Sequence, residues 1–302
     1  MSRLSGGGGH VLAKPQAKTS TPAEAFAYCR HLTLSHYENF TVASWLLPRE
    51  SRCHVYAVYA FCRYTDDLGD EAVGDRLRLL DEWEADLRRC YASTPDHPIL
   101  VALSDTIRCF RIPPEPFLKL IEANRIDQQV ARYATYPELL HYCDHSANPV
   151  GHLVLYLFGY SDEERRRLSD ATCTALQLTN FWQDVAVDGS KGRVYIPQED
   201  MKRFGYSEEE VRGGIVNDSF RALMTFELRR TRRLFAEGLE LVQLVDGRLK
   251  LALKLFSLGG LAVLRAIERN GYDVFQHRPQ LSRWQKARLL IRACLPARLR
   301  QE

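Results

Sequence analysis

The chain has 302 residues, 45% of them hydrophobic and 26% charged, apolar enough to bury one large core or two modest ones. A net charge of +3, without interleaved aromatic and basic residues, argues against a nucleic-acid partner. The eight scattered cysteines lack a CxxC pair, no apolar run reaches the ~18–20 residues of a membrane span, and the N-terminus has no signal-peptide core, so a reduced, cytoplasmic chain is expected.

Residues 1–20, MSRLSGGGGHVLAKPQAKTS, read as a flexible tail, leaving 21–302 as one domain. The glycine run is not a phosphate loop, because His and Val follow it in place of GK[ST]. From Thr21 onward the spacing is helical with Pro and Gly punctuation, so the fold class is all-α. Helices are expected from Pro22 into the early thirties, then over Ser51 to Gly69, Asp75 to Tyr91, Pro98 to Phe110 and Pro114 to Asn124. Two longer ones cover Tyr136 to Phe158 and Asp162 to Val187. After a loop carrying GRVYIPQED, helices follow over 199–204, 207–213, 217–246, 248–271 and 281–293. Pro149 should kink or interrupt its helix, and Gly151 permits close approach of a neighbouring helix or a ligand chain. His141 and His145 share a face around Cys143, but no third ligand follows at zinc spacing.

Chemistry concentrates in two aspartate pairs, Asp66 with Asp70 and Asp184 with Asp188, each at i, i+4 in an apolar, helix-forming stretch. Such a pair projects from one helix face with Cβ atoms about 5–6 Å apart, mutually repulsive unless a cation intervenes. Acidic pairs also occur on solvated faces, but aromatic and aliphatic neighbours favour a cleft wall here. Buried carboxylates need partners or metals. Magnesium takes one or two carboxylates per ion and completes its shell with water and phosphate oxygens, so two facing helices of this kind would make a magnesium-diphosphate clamp. Gln177, Asn180, Asp184 and Asp188 fall along one helix stripe, and Tyr59, Arg63 and Asp66 run along another. Arg63 beside carboxylates is either an ion-pair partner or a fork for diphosphate oxygens.

The stretches Tyr59-Ala-Phe-Cys-Arg63-Tyr-Thr-Asp66-Asp67-Leu-Gly-Asp70-Glu71, Gln177-Leu-Thr-Asn180-Phe-Trp-Gln-Asp184-Val-Ala-Val-Asp188 and Gly192-Arg193-Val-Tyr-Ile-Pro197 resemble the squalene and phytoene synthase family. The likeness covers nearly all of the chain after the tail. Through HYENFTVASWLLP, SANPVG and LTNFWQDVAVDGSKGRVYIPQED it is most similar to the hydroxysqualene synthases of bacterial hopanoid biosynthesis. The resemblance implies a single-domain isoprenoid-synthase bundle with a central apolar cavity and a magnesium site of Asp66, Asp70, Asn180, Asp184 and Asp188. It also implies substrate contacts from Phe40, Arg63, Gln177, Asn180 and Arg193, with Tyr59 and Arg63 joining Asp66, Asp70, Asp184 and Asp188 as catalytic residues.

Two departures bear on the reaction. Many coupling members carry Arg before the first aspartate of the second motif and Glu before its last, where this chain has Gln183 and Val187. Asn148-Pro149 also replaces the usual small residues. These changes are consistent with a member that ionises preformed presqualene diphosphate, with water capturing the rearranged cation to give hydroxysqualene and diphosphate. Phe40, Tyr59, Phe181 and Trp182 are candidate aromatic faces for the cation, and Asn148, Gln177 and Tyr142 candidates to place the water. Lys191 and Arg193 are candidate aids to the leaving group. No nicotinamide is expected. A head-to-head prenyl coupling enzyme is the alternative, and a non-catalytic assembly factor is a more distant one that retention of all four aspartates speaks against. Whether an upstream presqualene diphosphate synthase hands over the substrate is open. The segment from Arg278 to Glu302 holds seven Lys or Arg and one acid around Trp284 and Leu289 to Ile291, which suits either peripheral membrane contact or a docked terminal helix.

Overall fold

The computed structural model describes residues 21–35, 51–282, 284, 288–290 and 293, so Phe40 and the tail at 1–20 lie outside the described residues. In chain order the helices are α1 (Pro22–Ser35), α2 (Arg52–Asp70), α3 (Arg76–Ala92), α4 (Pro98–Phe110), α5 (Glu115–Gln129), α6 (Tyr136–Ser146) and α7 (Asn148–Leu157). There follow α8 (Glu163–Gln183), α9 (Val185–Ser190), α10 (Gln198–Phe204), α11 (Glu208–Gly213), α12 (Asp218–Gly238), α13 (Leu241–Leu244) and α14 (Gly247–Arg269). Of the expected helix over 281–293, the described positions 284, 288–290 and 293 are helical. Among the described residues the extended pairing is one isolated bridge, Arg132 to Val194. The all-α expectation holds.

Several helices start where the sequence supplies a cap. Asp75 accepts from Arg78 N at 3.1 Å, Asp162 from Arg165 N at 3.0 Å and Asn217 from Phe220 N at 2.9 Å. Ser207 and Glu210 bond reciprocally at the start of α11.

The buried apolar residues form two main lobes. One gathers α1 to α5 around Phe61, Trp83, Leu103 and Phe117, with Phe61 stacked on Trp83 at 5.6 Å. The other gathers α6, α8, α12 and α14 around Leu178, Trp182, Phe235 and Leu264. Full burial of each such side chain contributes about 1.5–3 kcal/mol, so each lobe is a stable wall. Helix α7 joins them: Leu153 and Leu157 belong to the first lobe, while Gly151 lies so close to α8 that a Cβ there would collide with Ser169 and Cys173. The helices carrying the two aspartate motifs, α2 and α8, are linked through α5, α6 and α7: α2 packs on α5 and α7, and α8 on α6 and α7.

Four expected helices differ from those observed. The one over 136–158 divides at Ala147, and Pro149 falls in the first turn of α7, where a missing N–H costs nothing. The one over 162–187 divides at Asp184, whose φ of −107° and ψ of 15° leave the helical region. The one over 217–246 stops at Gly238, where α12 crosses so near Thr172 that a side chain would not fit. In contrast, α5 runs past Asn124 to Gln129, because its polar last turn faces a site and hid the helical continuation from a reading based on apolar spacing.

Candidate active site

On α2, Thr65, Asp67, Leu68 and Gly69 are buried while Asp66 and Asp70 reach solvent, so the predicted pair does share an open face. Asn124 of α5 donates to Asp66 Oδ1 at 3.3 Å and to the Leu120 carbonyl at 3.1 Å. Gly69, between the two aspartates, makes room for this, because a Cβ there would collide with the Asn124 amide. Although one side of Asp66 is open, surrounding protein withdraws the carboxyl from water and pushes its pKa up to about 7. The Asn124 hydrogen bond opposes that rise, and the Asp70 charge adds to it. Arg63 points along the same helix to Asp67 at 2.7 Å and Glu71 at 3.1 Å, so the ion-pair reading of this arginine describes the ligand-free chain. Tyr59, one turn earlier, is buried at 5% exposure.

The second motif spans the junction of α8 and α9. Asn180 is exposed, and Gln177, Asp184 and Asp188 are half-buried. The expected stripe on one helix is thus carried by two. It survives because Asp184 N still bonds to the Asn180 carbonyl at 2.9 Å and Asp188 N to the Asp184 carbonyl at 2.8 Å. Asp188 is pushed up to about 6, first by burial and then by the Asp184 charge, against Lys191 and Arg193.

Arg193 reaches toward the first motif. Its backbone is held by the extended pairing of Val194 N with the Ala131 carbonyl at 3.0 Å. Its guanidinium donates to the Asp127 carbonyl at 3.2 Å and lies 3.7 Å from Asp70 and 4.0 Å from the Asp127 carboxylate. Asp127 takes a 2.7 Å hydrogen bond from the Tyr142 hydroxyl, while its other oxygen is buried and takes none from the described residues. Burial raises the Asp127 pKa. Tyr142 is also in ring contact with Tyr133 and Phe181, and Phe181 stacks on Tyr195 at 3.9 Å.

Both carboxylate oxygens of Asp184 are engaged by Arg278, from Nε to Oδ1 and from Nη2 to Oδ2 at 2.8 Å. Next to it, buried Gln183 donates from Nε2 to the Pro279 carbonyl. Asn124, Asp127, Gln128, which donates to the Gly69 carbonyl at 3.0 Å, and Arg278 are therefore site residues that sequence reasoning passed over. The first three recur at i, i+3 and i+4 on α5, a usable polar signal; Arg278 carried no local one.

Two other expectations change. Trp182 is fully buried and its indole donates to Thr231 at 2.9 Å, so it belongs to the packing of α8 on α12 rather than to a cation-facing wall. Asn148 accepts from Thr174 at 2.9 Å and ties α7 to α8.

Among the described residues no three His, Cys, Asp or Glu side chains converge to hold an ion alone. The donors present fit magnesium in another way. They are hard oxygens arranged as pairs, burial and a neighbouring carboxylate raise two of their carboxyls, and one buried Asp127 oxygen takes no hydrogen bond from the described residues. Magnesium is suited to such incomplete protein sites, completed by water and phosphate oxygens.

The squalene/phytoene synthase family model matches residues 34–285. A 15-cis-phytoene synthase from Synechococcus elongatus is 32% identical, with 91% of this chain and 94% of that protein covered. One from Synechocystis is 33% identical, with 88% and 82% covered. Among solved structures, squalene synthase HpnC from Alicyclobacillus acidocaldarius is 50% identical with a TM-score of 0.82, covering 83% of this chain and 96% of that one. A dehydrosqualene synthase in complex with ligand is 28% identical with a TM-score of 0.81, covering 90% and 96%. Matched over most of its length in both sequence and fold, this chain belongs to the squalene/phytoene synthase family, whose members are enzymes acting on prenyl diphosphates.

Proposed function

We propose that this chain ionises presqualene diphosphate and lets water capture the rearranged cation, releasing hydroxysqualene and diphosphate in hopanoid and squalene biosynthesis. The observation that carries the reading is the second motif: Gln183 is buried and spent on Pro279, and Val187 stands 44% exposed. Neither a cation at 183 nor an acid at 187 extends the Asp184 and Asp188 cluster, as they do in many coupling members.

In this reading Asp66 and Asp70 on one side, and Asn180, Asp184 and Asp188 on the other, hold magnesium against the diphosphate. When bound, magnesium neutralises the negative charge that builds on the leaving group. Arg193, placed between the first motif and Asp127, and Arg63, about one turn before Asp66 on α2, present guanidinium groups whose planar forks suit diphosphate oxygens. The apolar walls exclude stray nucleophiles from the cation. With Asn148 bonded to Thr174 and Tyr142 bonded to Asp127, Gln177, half-buried one turn below Asn180, is the residue we assign to orienting the water.

A coupling transferase is the second reading, favoured by the phytoene synthases among the relatives and by intact aspartates on both sides. Purified protein with magnesium and no nicotinamide, supplied with either farnesyl diphosphate or presqualene diphosphate, separates the two. The proposal expects a C30 alcohol from presqualene diphosphate and no C30 product from farnesyl diphosphate. A C30 or longer coupled product from a shorter prenyl diphosphate would make the chain a transferase.

A further inference from the structure

The chain leaves α14 at Arg269 and turns through Gly271 and Tyr272, both at positive φ, before burying Val274 against the second lobe. Phe275 then packs on Phe220 at 5.2 Å, and Pro279 is buried beside the end of α8. Two adjacent residues of this segment meet two adjacent residues of the second motif. The Pro279 carbonyl accepts from Gln183, and Arg278 takes both oxygens of Asp184.

The two contacts differ in kind. The Arg278 side chain is 45% exposed, so its pairing alone would be loosely held, since exposed ion pairs are worth little. Gln183 is 7% exposed, and the amide bond it makes to Pro279 is shielded from competing water. The buried bond fixes the backbone, and the fixed backbone limits where the next side chain can reach. A cation on Asp184 also has a consequence for ligand binding. Arg278 takes one lone pair of each carboxylate oxygen and leaves the others to a metal, and its guanidinium then stays within reach of whatever anion the metal brings.

We propose that Gln183 is a positioning residue: by holding Pro279 it sets Arg278 on Asp184, so that the positive charge paired with Asp184 comes from the C-terminal segment and the 183–279 bond governs how tightly the site retains diphosphate. This rests on the metal-diphosphate reading above and adds to it a division of labour between an amide that places and a guanidinium that binds.

The test is calorimetric titration of inorganic diphosphate into the full chain at saturating magnesium, with thermal unfolding of every variant alongside. Gln183→Met keeps the volume and removes the donor; Gln183→Asn keeps the polarity but shortens the reach. Each is expected to weaken binding about tenfold, as is Arg278→Ala, on the scale of a hydrogen bond to a charged site. Combining Gln183→Met with Arg278→Ala should cost no more than Arg278→Ala alone, because the first acts through the second. Gln183→Arg in the Arg278→Ala background should restore binding to within about threefold of wild type, a recovery that a purely structural amide would not give. Unchanged binding in both Gln183 variants, losses that multiply in the double variant, or no recovery by Gln183→Arg would each overturn the proposal. Wild-type protein that binds no diphosphate with magnesium would remove the underlying reading as well, and that result is distinct from the others.

Discussion

Replacing one carboxylate at the mouth distinguishes a ligand from a structural acid. Burial, with the Asp70 charge adding, holds the Asp66 carboxyl at a raised pKa, so Asp66→Asn should lower turnover on the order of 10²-fold or more while leaving the melting temperature unchanged or higher. Steady-state kinetics beside a thermal melt decides, and a variant with near wild-type turnover would remove Asp66 from the site. Gly69→Ala acts indirectly. Its Cβ forces Asn124 away from Asp66, at an overpacking cost of about 1–3 kcal/mol, and should lower both stability and turnover. Full activity at normal stability would show that the Asn124 contact is dispensable. The aspartate pairs were legible in the sequence because i, i+4 spacing is local. Arg278 was not, because it meets Asp184 across 94 residues of chain, and only the packing of the segment beyond α14 brings the two together.

Helix starts were readable wherever a capping side chain stands at the boundary, as at Asp75, Asp162 and Ser207. Helix interruptions were harder. Pro149 announced one, but the break at Asp184 and the stop at Gly238 arise from the site and from a helix crossing, neither of which leaves a local mark. Gly238→Ala tests the crossing. Its Cβ meets both the side chain and the backbone of Thr172, and backbone cannot step aside, so a loss of about 2 kcal/mol or more in denaturant unfolding is expected. A change below about 0.5 kcal/mol would mean that α12 and α8 can separate without cost.

At the scale of the whole molecule, a buried charge cluster ties α10, α12 and α6 together. Arg230 bonds Glu227 at 2.6 and 2.7 Å and Asp200 at 2.6 Å, and lies 3.4 Å over the Tyr136 ring. One guanidinium serves two buried acids, and burial first, with Asp200 adding, pushes Glu227 up to about 8. Folded Glu227 therefore keeps a proton that the unfolded chain, at the ordinary value of 4.5, has released. Its contribution to stability is complete below that value and declines as pH rises through about 8. Glu227→Gln, which mimics the protonated acid, should gain stability relative to wild type as pH rises from 5 to about 8. Melts across that range check this, and a difference independent of pH would contradict it.

The same scale bears on contact with lipid. Among the described residues no helix is long and apolar enough to cross a membrane, while Trp284 stands 83% exposed and Leu290 51% exposed in the basic C-terminal segment. Such exposed apolar side chains among basic ones are the chemistry that peripheral contact with anionic lipid would use, and a docked terminal helix with a solvated basic face is the alternative to it. Truncation after Arg283 should reduce co-sedimentation with anionic liposomes, and equal sedimentation would exclude the lipid contact. The bundle and both motifs were legible from helical spacing and paired acids, whereas the division of the core into two lobes, with α7 joining them, depends on contacts between distant helices.

The central claim is that the diphosphate leaves by carbon-oxygen cleavage and that water supplies the new oxygen. Incubating the purified chain and magnesium with presqualene diphosphate in oxygen-18 water, then reading the extracted alcohol by mass spectrometry, tests it most directly. The account predicts hydroxysqualene carrying one labelled oxygen. An unlabelled alcohol, formed by cleavage at phosphorus with the original oxygen retained, would contradict it, as would a C30 hydrocarbon with no oxygen at all.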